Sequence, residues 1–209
     1  MRVLIIVLTV IEGYLLGSLS FGIITTRILA KKDIRTLGSG NAGMTNVLRS
    51  VGSLAGALTG FGDFAKGAIA IVLGRWLFET AALNPYLGGY LAALFAIMGH
   101  LFPLYFGFKG GKGVMTTAGV LLVLNPTILL VLAVLFAIAF AITKTISICS
   151  ITAALAYPPV NLIYSLLAGK EWLFSTFFAV CICGLVIFEH RSNIKRIREG
   201  TEKKFVIKK

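Results

Sequence analysis

The sequence predicts an all-α, polytopic membrane protein, a helical bundle of about seven transmembrane helices forming one domain over residues 1–209. Three observations predict it. The 209 residues are 57% hydrophobic and 13% charged, with a mean hydropathy of +0.92, whereas a soluble domain carries about 25% charged residues. Apolar runs approaching the roughly 20 residues that cross a bilayer recur along the whole chain, broken by short polar, glycine and proline punctuation. The 20 lysines and arginines, set against 8 acidic residues, gather in alternate connections.

The first span covers about 3–30. Its apolar run is too long for a cleaved signal peptide, and no small-residue cleavage site precedes the polar segment at Lys31. The second, 51–77, carries Asp63 and Lys66 three residues apart on one helical face, either a self-neutralising structural pair or a substrate contact. The third, 85–106, has His100 near its end. The fourth, 114–124, is short and stops at Asn125-Pro126, as a tight turn or a partly re-entrant helix. The last three cover 126–143, 146–167 and 172–189.

Seven crossings put the termini on opposite sides. One side then receives Lys31, Lys32, Arg35, Arg49, Lys109, Lys112, Lys144 and the tail cations Arg191, Lys195, Arg196, Arg198, Lys203, Lys204, Lys208 and Lys209. The other receives Arg2, Arg75 and Lys170. The positive-inside rule makes the C-terminus cytoplasmic and the N-terminus external, with Trp76, Tyr86 and Trp172 at the external headgroup zone. An odd span count also disfavours the inverted repeats common in transporters. Cys149, Cys181 and Cys183 lie in apolar segments without a CxxC, so they are read as packing residues, not as a disulfide or zinc framework.

Two polar stretches interrupt this pattern, GSGNAGMTN at 38–46 and FKGGKG at 108–113. Gly38, Gly40, Gly43, Gly110, Gly111 and Gly113 are expected to expose backbone N–H groups and to use φ/ψ regions closed to other residues. Ser39, Asn41, Thr45 and Asn46 add short donors, and Lys109 and Lys112 add charge, so both stretches are built like phosphate cradles. The plainer readings are a helix C-cap and turn for the first and a basic linker for the second. His190 and Asn193 lie one helical turn apart at the membrane edge. Ser147 and Ser150 share that spacing, although serines in membrane helices commonly bond their own backbone. His100 is read as a helix-packing hydrogen bonder, and the plainer reading of the KRIREGTEKK tail at 195–204 is a contact for acidic lipid headgroups. By topology, both glycine-rich loops, the 144–150 turn and the tail share the cytoplasmic side.

These segments carry a resemblance. GSGNAGMTNVLR (38–49), GHLFPLYFGFKGGKG (99–113) and HRSNIKRIREGTE (190–202) together resemble the three cytoplasmic motifs of the acyl-phosphate-dependent glycerol-3-phosphate acyltransferases, the PlsY family. Motif order, spacing, chain length and span count match over essentially the whole chain, and DFAKG (63–67) and TKTISICSI (143–151) are also similar to family segments. Met44 and Met115 stand where smaller residues are more usual. Thr145 stands where an aromatic is common, which bears on acyl-chain preference and not on the chemistry.

The resemblance implies transfer of a fatty acyl group from acyl-phosphate to glycerol 3-phosphate, giving lysophosphatidic acid and phosphate at the inner membrane. Its site residues fall on Ser39, Arg49, Lys109, Lys112, His190 and Asn193 for catalysis. Gly38, Gly40, Asn41, Gly43, Thr45, Asn46, Gly110, Gly111, Gly113, Ser147, Ser150 and Glu202 fall to substrate binding. Within that set, 38–46 is assigned to the acyl-phosphate head and 109–113 to charge stabilisation. Arg49, His190, Asn193 and Ser147 are assigned to glycerol 3-phosphate, with the choice of loop for each phosphate left open.

What the chain lacks narrows the chemistry. The residues five after its histidines are Tyr105 and Lys195, so there is no His-x4-Asp, and no GxSxG occurs. With no nucleophile in a polar motif, an acyl-enzyme is disfavoured. Phosphate is a good leaving group, so direct attack by the glycerol hydroxyl is expected, its proton passing to the departing phosphate or to His190. No carboxylate cluster calls for a metal, and no organic cofactor or nucleic acid is implied. An organic-phosphate transporter or exchanger is the alternative, and it would need polar access from both faces.

Overall fold

The structure, a computed structural model, describes residues 1–205; Lys208 and Lys209, counted above on the basic side, lie outside the described residues. Every regular element among them is helical. One domain is expected from the sequence. The folded chain divides into two compact units, Met1–Leu124 and Asn125–Lys209.

The first unit holds α1 (Arg2–Gly17), α2 (Phe21–Ala30), α3 (Met44–Ser50), α4 (Ser53–Thr80), α5 (Pro85–Leu101) and α6 (Val114–Leu124). The second holds α7 (Pro126–Thr143), α8 (Ile146–Leu167), α9 (Leu173–Glu189) and α10 (Arg191–Arg198). Five segments are long and apolar enough to cross a bilayer: Arg2–Ala30, Ser53–Thr80, Pro85–Phe106, Pro126–Thr143 and Ile146–Leu167. The bent pair α9 and α10, meeting at 60°, makes a sixth. The seventh expected crossing is α6, whose 11 residues extend only about 16 Å at 1.5 Å per residue.

The first expected span is not one helix. It breaks at 18–20 between α1 and α2, and side chains satisfy the break. Ser18 Oγ donates to Tyr14 O at 2.8 Å and accepts from Leu104 N at 3.2 Å. The Leu19 carbonyl released by the break accepts from Lys66 Nζ at 2.6 Å. A bare carbonyl at membrane depth costs several kcal/mol, so the buried lysine on α4 and the break on α1–α2 explain each other.

Small residues bring the helices of the first unit close. On α1, Gly13 and Gly17 face Ala92 and Ala96 of α5, where a Cβ on Gly17 would lie 2.1 Å from Ala96 O. Such contacts let helices associate without an aqueous hydrophobic drive. Large apolar side chains point outward instead, among them Phe61, Val72, Leu130, Ile142 and Leu167, as lipid solvation allows. Proline and asparagine start α5 and α7: Asn84 Oδ1 accepts from Tyr86 N and Asn125 Oδ1 from Ile128 N, each followed by a proline at the first helical position. Lys144, in the left-handed conformation, ends α7.

Candidate active site

In the first unit, residues 38–43 form a loop leading into α3, which carries Thr45, Asn46 and Arg49. The loop rests on a buried cluster of Ile23, Ile34, Ala42, Val47 and Ala55. Gly22 of α2 admits it, since a Cβ there would lie 1.8 Å from Ala42 O. Asn46, buried, is the internal brace. Its Nδ2 donates to Asn41 O at 2.9 Å and Leu37 O at 3.0 Å, while Oδ1 accepts from Ser39 N at 2.9 Å. Asn41 Oδ1 accepts from Gly43 N at 2.9 Å. Gly38 and Gly40 have φ of +58° and +74°, which a β-branched side chain strongly disfavours. The Ser39 side chain stands exposed, as does Arg49.

The 108–113 loop folds back onto the end of α5. Gly110 N donates to Leu101 O at 3.2 Å, and Gly111 N donates to His100 O at 3.1 Å. These bonds correct the expectation of open N–H cradles. The N–H groups of Ser39, Gly40, Gly43, Gly110 and Gly111 are all spent on the protein itself, because a loop this tight must satisfy its own buried polar groups. Positive φ is likewise confined to Gly38, Gly40 and Gly113 among the six glycines. Gly110 and Gly111 are needed for close approach: a Cβ on Gly111 would lie 2.1 Å from His100 Nε2. Anion attraction therefore falls to side chains and net charge, with Lys109 exposed and Lys112 half-buried.

Sequence reasoning counted Arg35 only as a topology marker and assigned Asp33 no role. They tie together the segments that lead into the two loops. Arg35 grips Asp33 through Nε at 3.0 Å and Nη2 at 2.7 Å, and its Nη1 donates to Phe106 O at 2.6 Å. Arg27 adds a 3.1 Å bond to Asp33 and lies 5.7 Å over the Phe106 ring. The Arg35 hydrogen bonds hold the Asp33 carboxyl well below the usual carboxylate range despite partial burial.

Behind the second loop, the expected Asp63–Lys66 pair is joined by His100. Lys66 Nζ lies 2.9 Å from Asp63 Oδ1, an ion-pair distance without hydrogen-bond alignment, and 2.9 Å from His100 Nδ1. All three side chains are buried. The i,i+3 spacing announced the pair; the histidine, 34 positions from the lysine, left no local signal.

In the second unit, Glu202 gathers the remaining candidates. Its Oε1 accepts from Ser147 Oγ and from Asn193 Nδ2, each at 2.6 Å, and its Oε2 from Arg196 Nε at 2.6 Å. Phe205 N donates to Lys144 O at 2.7 Å, so the tail returns to the α7–α8 turn. Ser150 is placed differently from the expectation: its Oγ bonds Ile146 O on its own helix at 3.0 Å, the ordinary use of a serine there. His190, buried at the α9–α10 bend, donates from Nδ1 to Val186 O at 2.7 Å. Among the described residues, no three His, Cys, Asp or Glu side chains gather to hold a metal.

Burial alone would raise the Glu202 carboxyl, but the bonds from Ser147, Asn193 and Arg196 together hold it below its ordinary 4.5. A lowered folded pKa gives stability that is full above the unfolded value and is lost as pH falls through the folded one. Glu202→Gln should therefore lower the Tm in detergent at neutral pH, and the deficit should shrink as the pH drops below about 4.5. A deficit that is constant across that range would mean the carboxylate charge is not what ties the tail.

The chain resembles known proteins along its length. A sequence model of the family described as glycerol-3-phosphate acyltransferase matches residues 7–200. A glycerol-3-phosphate acyltransferase of Clostridioides difficile is 39% identical over 100% of both chains. Another of Neisseria meningitidis serogroup C is 43% identical over 92% of this chain and 93% of the relative. The crystal structure of PlsY (YgiH), an integral membrane glycerol 3-phosphate acyltransferase, in its glycerol 3-phosphate form, is similar with a TM-score of 0.83, 34% identity and 96% of each chain covered. Its lysophosphatidic acid form gives a TM-score of 0.81 at 34% identity over 97% of this chain and 96% of that one.

Proposed function

Because the chain belongs to the glycerol-3-phosphate acyltransferase family, we propose that it moves a fatty acyl group from an acyl-phosphate to glycerol 3-phosphate. The products are 1-acyl-glycerol 3-phosphate and inorganic phosphate, in the first step of phospholipid synthesis. The enzyme works without a cofactor at the cytoplasmic face of the inner membrane, among acidic lipids that its tail contacts. The observation that carries the reading is the Asp33–Arg35–Phe106 brace, which ties the segment leading into the first glycine-rich loop, with its serine, to the segment leading into the second, with its lysines. Positioned charge at a loop of this kind suits an acyl-phosphate head, whose departing phosphate gathers negative charge as the anhydride bond breaks.

The reaction balances without a covalent enzyme intermediate. The glycerol hydroxyl oxygen attacks the acyl carbonyl carbon, the bond between that carbon and the bridging oxygen of the phosphate breaks, and phosphate leaves with the electron pair. The hydroxyl proton goes to that phosphate or to His190. Ser39, with Gly38–Asn46 around it, holds the acyl-phosphate head, and Lys109 and Lys112 stabilise the reacting centre. Arg49, Ser147, His190 and Asn193 orient glycerol 3-phosphate. Glu202 serves by aligning Ser147 and Asn193 through its 2.6 Å bonds.

The test is donor choice. Purified protein in nanodiscs with glycerol 3-phosphate should release phosphate and form product from acyl-phosphate, and do neither with acyl-coenzyme A. Equal rates from acyl-coenzyme A would overturn the donor assignment.

A further inference from the structure

This chain has two histidines, and their partners demand opposite tautomers. At His190 the acceptor is a carbonyl, Val186 O, so Nδ1 carries the hydrogen and the lone pair of the neutral ring is on Nε2. At His100 the nearest partner of Nδ1 is the Lys66 ammonium at 2.9 Å; Asp63 Oδ1 also faces Nδ1, at 3.4 Å, but makes no aligned hydrogen bond. An ammonium offers hydrogens and no lone pair. The contact therefore requires the lone pair of Nδ1, and the hydrogen of the His100 ring sits on Nε2. Lys66 is fixed in that act from two other directions, by Leu19 O at 2.6 Å and by the Asp63 carboxylate at 2.9 Å, with both Asp63 and Lys66 within 2% of full burial.

The Nε2–H so produced is aimed at the second glycine-rich loop. Nε2 lies in the space that a Cβ on Gly111 would occupy, while the backbone carbonyl of the same histidine accepts from Gly111 N at 3.1 Å. His100 is 4% exposed, and no described residue accepts a hydrogen bond from its Nε2. The residue is buried, but Nε2 is not among the fully enclosed side-chain atoms that lack a partner, so this atom is reached from the loop side. Here it faces a loop whose own amides at 110 and 111 are already committed to carbonyls. A ligand oxygen at the loop would take the place that a protein acceptor leaves open.

We propose that His100 is a substrate-positioning residue of this enzyme: the buried Asp63–Lys66 pair locks its tautomer so that Nε2–H donates to a phosphate oxygen held beside Gly111. This rests on the reading above that the 108–113 loop receives a phosphate. Its chemistry is hydrogen bonding only, with no proton transferred. Either phosphate-bearing substrate can supply the oxygen.

Ring-nitrogen spectra of the full chain in nanodiscs, labelled with ¹⁵N-histidine, test it at mildly alkaline pH, where a neutral imidazole is observed because the ordinary pKa is about 6.5. His100→Phe and His190→Gln assign the two rings by subtraction. The expected spectrum has one ring protonated at Nε2, lost in His100→Phe, and one protonated at Nδ1, lost in His190→Gln. Glycerol 3-phosphate or inorganic phosphate should shift the His100 Nε2–H signal. A His100 ring protonated at Nδ1, or an Nε2–H signal that neither phosphate compound moves at saturation, would overturn the proposal. In kinetics, His100→Phe should raise KM for one phosphate substrate about tenfold to a hundredfold, the scale of a hydrogen bond to a charged group. His100→Gln, which keeps a donor, should restore part of it. A lowered Tm with both KM values unchanged would assign His100 to packing alone. The wild-type spectrum decides even if the phenylalanine variant fails to fold. Inactivity with acyl-phosphate beside a phosphate-dependent shift would sink the donor assignment and leave His100 standing.

Discussion

Gly111→Val is expected to abolish acyl transfer while the protein still inserts and folds. The reason is close approach, since φ at this glycine is not in the left-handed region. A Cβ at 111 would lie 2.1 Å from His100 Nε2, 2.6 Å from Cε1 and 3.2 Å from Cδ2. The ring cannot retreat, because Nδ1 is held by Lys66 and the backbone carbonyl by Gly111 itself. The loop must move instead, carrying Lys109 and Lys112, the lysines proposed to stabilise the reacting centre, and a displacement of about 1 Å at a reacting centre can cost about 10²-fold in rate. Gly40→Val should be comparably damaging by a different route, through its φ of +74°. Activity near wild type in a folded Gly111→Val protein would mean that 108–113 is a linker.

Arg49→Ala is the second large effect. Arg49 lies in the last turn of α3, beyond the Asn46 brace, so the loop that carries Ser39 fixes where the guanidinium starts. A guanidinium fork binds a phosphate bidentately and thereby also sets the approach of the hydroxyl on the same small substrate. Its loss should raise KM for glycerol 3-phosphate and lower kcat together, with kcat down by about 10²–10³-fold, the scale of losing one donor to developing charge. Lysine should recover little, since it offers a point charge without the fork. An Arg49→Ala enzyme whose kcat is intact at saturating glycerol 3-phosphate would leave Arg49 as a binding contact only.

The helical class and most span positions were legible in the sequence, because lipid-facing and core residues leave long apolar runs whatever their packing. Breaks inside those runs were not. The interruption at 18–20 depends on Lys66, 47 positions away from Leu19, taking up the freed carbonyl. The motif residues were legible as types, and the structure sorts them by use. Asn46 braces a loop, Glu202 aligns Ser147 and Asn193, and Ser150 serves its own helix. Arg35 escaped notice because a lone arginine after a span reads as a topology marker. Its link to Phe106, 71 positions on, exists only in the fold.

The claim at the centre of this account is direct transfer, with no acyl group ever resting on the protein. Rapid mixing of the enzyme with acyl-phosphate alone, followed by phosphate release in the first turnover, tests it most directly. The account predicts no burst without glycerol 3-phosphate, and with it a release of phosphate equal at every time to the 1-acyl-glycerol 3-phosphate formed. A burst approaching one phosphate per enzyme in the absence of glycerol 3-phosphate, with acyl label retained on the denatured chain, would contradict it.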